Sequence, residues 1–399
     1  MNQFFNWVGL PKKVQTQNNQ MELELDSMLQ VSATEKVLIE LTSRCNLKCP
    51  FCTVSHPEYR GGDNTVDIDE LIPRLNQRGV RRVEINNHGE STIISGWEKV
   101  AEKLLSKGFE VSITSNLAKS FSDQEINILA QMTVYLSIDT VDSDLFRKLR
   151  LGAKIERVIA NVNKIQSRKQ ELASSKPFGW RTILCDATYP GLLDLIQLGL
   201  NLNITEFYFG HLQKMEGVKT SYDVNHILTL PPEKVAEALI VLGEARHILE
   251  NKKAIHDLDK CINQIKQAVH PEIISFTNPD PEACSPFELA PKATFNEQIG
   301  PKETRNCLLP WNMFQIKHNQ NITFCCWMKS LGNLKGESLD HILNGEQARA
   351  YRKGLLTGEL MPECKVCPVR ESIPLQYQIQ NVKNYLGKIT AASSSDCPS

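Results

Sequence analysis

The sequence predicts an α/β protein assembled from parallel βαβ units, and three observations predict it. From residue 36 onward, short apolar runs alternate with stretches of helical spacing, the pattern of strands joined by crossover helices. Hydrophobic residues make up 41% of the 399-residue chain, enough for a sizeable core in two domains or in one large domain with an extension. A cysteine-dense loop follows the first apolar run, at the strand end where sites form in such folds. Six units over about 200 residues suit a partial (β/α)6 barrel of the TIM type, with a doubly wound open sheet as the alternative.

The expected strands are 36–41, 82–86, 110–115, 134–138, 181–187 and 204–209. Helical spacing falls between them, at 97–107, 123–132 and 156–173. Residues 1–35 are polar, and read as an N-terminal extension that Phe4, Phe5 and Trp7 could anchor. The barrel is expected over 36–210. Pro231-Pro232-Glu233 opens a helical region running to about Ala268, a further strand is expected at 273–276, and 278–303 reads as a linker, so 211–304 completes the core. A small cysteine-bearing domain is expected over 305–370, followed by a C-terminal tail over 371–399.

The formal net charge is −1, which gives no general affinity for nucleic-acid backbone or anionic membrane. No apolar run approaches the roughly 18–20 residues of a membrane helix. The N-terminus lacks a charged region followed by an apolar one, so no signal peptide is expected. Twelve cysteines without an export signal favour metal or redox chemistry over disulfides, and a cytoplasmic setting.

The loop reads Cys45-Asn46-Leu47-Lys48-Cys49-Pro50-Phe51-Cys52. Thiols at these intervals can wrap one face of a cubane iron–sulfur cluster, ligating three irons and leaving the fourth open. Zinc is the alternative, but it wants four ligands and His56 is the only nearby candidate. The spacing resembles the signature of the radical SAM superfamily, with Phe51 in the aromatic slot before the last cysteine. The resemblance implies a 4Fe-4S cluster whose open iron chelates S-adenosylmethionine (SAM). It also implies one-electron reduction by an external flavodoxin- or ferredoxin-type partner.

Further fragments fall in family order at successive strand ends. Asn87-His88-Gly89-Glu90 is similar to the Gly-Gly-Glu-Pro segment that holds the methionine ammonium, with His88 and Ser91 as departures. Ser115-Asn116 matches a pair that contacts the ribose or methionine portion, although Ser-Asn also suits a turn. Ser137-Ile138-Asp139-Thr140 resembles a Ser-Leu-Asp-Gly segment, and Ser137 and Arg150 are candidates for the SAM carboxylate. The likeness covers about residues 36–210.

A second cysteine group holds Cys307, Cys325, Cys326, Cys364 and Cys367. Phe314, Ile316, Ile322 and Phe324 flank a polar turn and read as a hairpin. This layout resembles the SPASM/twitch extension of radical SAM enzymes, which implies one auxiliary 4Fe-4S cluster on Cys307, Cys325, Cys364 and Cys367. Four thiolates suit zinc equally well. Adjacent strand residues face opposite sides, so either Cys325 or Cys326 ligates and the other points away. Cys326 is then a candidate hydrogen-atom or proton donor, or a small buried hydrophobe. Cys185, Cys261, Cys284 and Cys397 have no metal-like spacing.

The expected function is SAM cleavage to a 5′-deoxyadenosyl radical that abstracts hydrogen from a peptide or small-molecule substrate, with the auxiliary cluster assisting oxidation or binding. A non-enzymatic iron–sulfur or zinc scaffold is the alternative. A nucleic-acid substrate has no basic stripe to support it.

Overall fold

A computed structural model describes residues 24–212, 223–268, 299–367 and 370–395. The strand expected at 273–276, most of the linker, the aromatic anchors near the N-terminus, Cys284 and Cys397 lie outside the described residues.

Six strands follow in chain order: β1 (Lys36–Ile39), β2 (Arg82–Glu84), β3 (Glu110–Ser115), β4 (Thr133–Ser137), β5 (Phe178–Leu184) and β6 (Glu206–His211). Each pairs in parallel with the next. The order never reverses, so this run of strands has no switch point of the doubly wound kind. Arg181 on β5 donates to Glu84 on β2 at 3.1 Å. A flat sheet would hold those strands roughly 14 Å apart, so the bond requires the sheet to curl. The result is a partial barrel. The fifth strand runs Phe178–Leu184 rather than 181–187, because pairing with both neighbours overrides the turn signal of Pro177 and Gly179.

Strand alternation decides which side chains reach the lumen. Val37, Ile39, Val111, Ile113, Val134 and Leu136 are buried against the helix layer. The lumen side is polar. Arg181 also donates to Thr114 at 2.6 Å, Lys36 reaches Glu84 at 2.7 Å, and the Tyr135 and Tyr208 hydroxyls both donate to Glu206 at 3.1 Å. The helices are cut by local signals. Ser122 and Glu125 form a capping box at the start of Asp123–Gln131, and Asp67 caps Ile68–Gln77.

Helices Pro232–Asn251 and Leu258–Ala268 flank β7 (Ile255–His256), which adds beside β6. The remaining strands are β8 (Glu303–Arg305), β9 (Met313–Ile316), β10 (Asn321–Thr323), β11 (Gly332–Asn333) and β12 (Ser372–Pro374). The expected hairpin is β9–β10, and β9 pairs in parallel with β1, from Lys36 opposite Met313 to Ile39 opposite Ile316. One ten-stranded sheet therefore runs from the barrel into the cysteine-bearing region.

Two segments depart from expectation. The C-terminal tail instead begins with β12, paired to β8, and continues as helix Leu375–Ser395. Within the N-terminal extension, Met28, Leu29 and Val31 are buried against Trp311, Leu355 and Val382. Trp311 Nε1 donates to the Met28 carbonyl at 2.8 Å, and Arg352 Nη1 to the Leu29 carbonyl at 2.8 Å. Burial of apolar side chains decides both cases, and a polar average over the segment conceals it.

Candidate functional site

β1 delivers the chain into the first cysteine loop. Cys49 is buried, and Cys45 and Cys52 are half-buried. The Leu47 amide donates to Cys45 Sγ at 3.4 Å, and Asn116 Nδ2 approaches the same sulfur at 3.8 Å. Burial pushes the Cys45 thiol up to about 12 and the Cys49 thiol upward as well, although the Arg150 guanidinium pulls Cys49 down. A thiol so shifted becomes a ligand only when metal binding displaces its proton to solvent.

Gly89 lies where two backbones meet. A Cβ there would sit 2.4 Å from both the Thr42 and Arg44 carbonyl oxygens. The Glu90 amide donates to the Arg44 carbonyl at 2.8 Å, which pins this loop to the cysteine loop. The Glu90 carboxylate turns inward and is 3% exposed as a residue. It accepts from the Thr92 hydroxyl at 2.7 Å, the Ser115 hydroxyl at 2.9 Å and the Asn116 amide at 2.7 Å. Burial pushes its carboxyl up against these donors. Glu90, Ser115 and Asn116 are thus brought together beside Cys45, with Glu90 bracing the β3 end.

Arg150 follows the helix Ser143–Leu149. It caps the C-terminal end of that helix, with φ −116°, and this lets it fold back. Its Nε and Nη2 lie 2.7 Å from Asp139 Oδ2, its Nη1 lies 4.0 Å from Cys49 Sγ, and its guanidinium carbon is 5.5 Å from the Phe51 ring centre. Asp139 Oδ1 accepts the Ile183 amide at 2.9 Å. Asp139, Arg150 and Phe51 therefore form one buried brace on Cys49. The hydroxyl of Ser137, at the end of β4, has no hydrogen-bond partner among the described residues.

The second thiol set surrounds a cavity of about 160 Å³, lined by Cys307, Cys325, Cys326, Cys364 and Cys367. Burial pushes Cys307 up to about 11 and Cys364 up to about 12, and each feels the charges of Cys325 and Cys367. Among the described residues, no three His, Cys, Asp or Glu side chains are grouped to hold a single metal ion. Four thiolates around one cavity suit an iron–sulfur cluster, and by their chemistry alone a zinc ion equally well. Cys325 and Cys326 follow β10 in a turn rather than lying on the strand, so strand alternation does not separate them. Cys325 is half-buried and Cys326 is exposed.

Two residues that sequence reasoning missed fix this set. Arg305, 1% exposed, donates to the carbonyls of Cys364 at 3.2 Å, Lys365 at 2.6 Å and Arg370 at 3.1 Å. Gln378 accepts the Cys307 amide at 3.3 Å and donates to the Cys307 carbonyl at 2.6 Å. Their only signal was a polar residue at a core-facing position.

Glu40, just past β1, was also missed. Its Oε1 meets His88 Nδ1 at 3.1 Å, and its Oε2 meets His318 Nδ1 at 3.0 Å and the His318 amide at 2.8 Å. Burial alone would raise this carboxyl, but the two rings and the amide hold it down at about 2.

Comparison with known proteins agrees with this geometry. Residues 39–175 match the Radical SAM superfamily, and residues 307–368 match the SPASM iron–sulfur cluster-binding domain. The chain carries a radical SAM domain and a SPASM domain. It therefore uses SAM, a SAM-binding 4Fe-4S cluster and auxiliary iron–sulfur chemistry. A cofactor-modifying protein for tungsten-containing aldehyde ferredoxin oxidoreductase from Pyrococcus furiosus is 25% identical over 209 residues, 49% of this chain and 52% of that one. The chain spans about half the length of that curated relative. Streptococcus suis SuiB bound to precursor peptide SuiA shares the fold at a TM-score of 0.56 and 15% identity, over 88% of this chain and 73% of that one. Native anSMEcpe with bound AdoMet and Cp18Cys peptide does so at a TM-score of 0.55 and 13% identity, over 89% and 99%. No helix of the described residues is long and apolar enough to cross a membrane.

Proposed function

We propose that this chain cleaves SAM reductively and oxidises a peptide substrate, with the auxiliary cluster held by Cys307, Cys325, Cys364 and Cys367. The observation that carries the reading is the parallel pairing of β1, which leads into the first thiol loop, with β9 of the hairpin that precedes Cys325, so one sheet joins the two thiol-bearing regions.

When bound, the cluster and SAM supply a 5′-deoxyadenosyl radical that removes one hydrogen atom from the substrate. The chain's own residues hold and insulate them. Cys45, Cys49 and Cys52 ligate the first cluster. Arg150, braced by Asp139, offsets the thiolate charge at Cys49. Gly89 keeps the SAM loop close, and Asn116 with Ser137 offers polar contacts to the cofactor. The peptide assignment draws support from SuiB and anSMEcpe, both observed with peptides and similar to this chain over most of its length. A second reading, dehydrogenation of a small-molecule alcohol, is favoured by a thiol set sufficient for only one auxiliary cluster.

Anaerobic reconstitution with iron and sulfide tests the reading. Iron per chain is expected to fall from about eight to about four in the Cys45→Ala/Cys49→Ala/Cys52→Ala variant, with 5′-deoxyadenosine formed only by wild type. About four irons falling to none would make the C-terminal site zinc or vacant. No SAM cleavage by wild type would favour the scaffold. Loss of two hydrogens from a peptide fraction, and not from alcohols, separates the two substrate classes.

A further inference from the structure

The auxiliary thiol set lies under an exposed patch shared by two loops. We propose that this patch docks an acidic one-electron carrier protein, with a flavin or iron–sulfur centre, that takes up the electron released in substrate oxidation. This rests on the oxidative reading of the site.

The centre of the patch is apolar. Val366, between Cys364 and Cys367, is 73% exposed, more than any other large apolar side chain among the described residues. Trp327, two residues after Cys325, is 40% exposed, whereas Trp97, Trp180 and Trp311 are buried. Two observations bring their loops together. Trp327 lines the same cavity of about 160 Å³ as Cys364 and Cys367, and Lys329 Nζ lies 3.9 Å from Glu363 Oε1. A single exposed apolar residue needs no explanation, but two on adjoining loops over one cavity make a contact surface. Tryptophan is also a frequent anchor of protein interfaces.

Cations surround that centre. The Lys329 side chain is 87% exposed, Lys365 is exposed, and Arg370 lines the cavity. Neither Lys365 nor Arg370 has an ion-pair partner among the described residues. The acid beside them, Glu363, is already engaged: its side chain is 18% exposed and accepts the Tyr351 hydroxyl at 3.2 Å. The whole chain has a formal net charge of only −1, so the positive potential here is local. A ring of cations around an apolar centre selects and orients an acidic protein surface.

The position explains why that protein would be an electron carrier. Cα atoms of neighbouring residues are about 3.8 Å apart, so a partner resting on Val366 lies one residue from the proposed ligand Cys367. The electron count closes. An H–C–X–H substrate gives one hydrogen atom to the adenosyl radical, then one proton to solvent and one electron to the auxiliary site, and C=X forms. That electron leaves the chain at the patch and reduces the carrier's oxidised centre by one.

The test uses the full reconstituted chain, with an acidic flavodoxin in its oxidised form as the probe. Isothermal titration calorimetry at about 50 mM salt reads the affinity. Lys329→Gln/Lys365→Gln should weaken binding at least about tenfold, and Val366→Ser about fivefold, with iron content unchanged. Lys107→Gln/Lys252→Gln, at the ends of two barrel helices, removes the same charge and should stay within about twofold of wild type. In wild type, flavodoxin should slow hydrogen exchange at 326–330 and 363–367. No binding by wild type, an unchanged affinity in Lys329→Gln/Lys365→Gln, or an equal loss in both lysine pairs overturns the proposal. Protection of those segments by the peptide substrate and not by flavodoxin overturns it too, and makes the patch a substrate surface. If wild type makes no 5′-deoxyadenosine, the oxidative reading fails while the binding comparison still decides whether the carrier docks here. If it does and the two lysine pairs bind alike, only this inference fails.

Discussion

Arg150 folds back over the barrel rim onto Asp139, with Nε and Nη2 both 2.7 Å from one carboxylate oxygen. The pair is buried, with side-chain exposures of 11% and 0%. Its third branch reaches Cys49, so one ion pair couples the β4 end to the cysteine loop.

Asp139→Asn should therefore be costly. It leaves the guanidinium buried and uncompensated, at a cost of about 3–5 kcal/mol. Chemical denaturation reads the stability, and iron content should fall at the first cluster only. A variant as stable as wild type would mean that Cys49 alone compensates Arg150.

The auxiliary site depends on backbone clamps as well as thiols. Arg305→Met removes three hydrogen bonds to the Cys364–Arg370 segment. Iron per chain should drop from about eight toward about four, while SAM cleavage persists. Gln378→Ala should weaken the same site through Cys307.

Glu40 predicts an acid limb in stability. Its folded value of about 2 lies below its ordinary 4.5. The stabilisation is thus fully present above about 4.5 and is lost as pH falls toward about 2. It is on the order of 3 kcal/mol at neutral pH. Glu40→Gln should flatten the fall in urea midpoint between pH 5 and pH 3, and the wild-type slope should survive in His341→Gln, which touches neither histidine of the network.

Gly89→Ala should separate the loop carrying Gly89 and Glu90 from the cysteine loop. Its Cβ would meet two carbonyl oxygens at 2.4 Å, and backbone must move. A loss of about 1–3 kcal/mol is expected, with weaker SAM binding by equilibrium dialysis. Unchanged SAM affinity would show that the loop tolerates the shift.

Local pattern made much of this protein readable. Short apolar runs placed five of the six barrel strands closely, and the spacing of Cys45, Cys49 and Cys52 exposed the first site. The alternation of Phe314, Ile316, Ile322 and Phe324 marked the hairpin, and all four are buried. These signals are legible because strand period and ligand spacing are set by bonded geometry over a few residues.

The sequence by itself determined the fold class, the two thiol sets and the resemblance that named their cofactors. Tertiary structure alone decided which polar side chains serve them. Glu40, His88 and His318 meet only because β9 pairs with β1 across 273 residues of chain between Ile39 and Met313. Arg305 and Gln378 reach their cysteines only once β8 and β12 pair and the terminal helix docks. Side-chain partnerships at long separation leave no period in the chain. Folding creates them by burying polar groups that must then find one another.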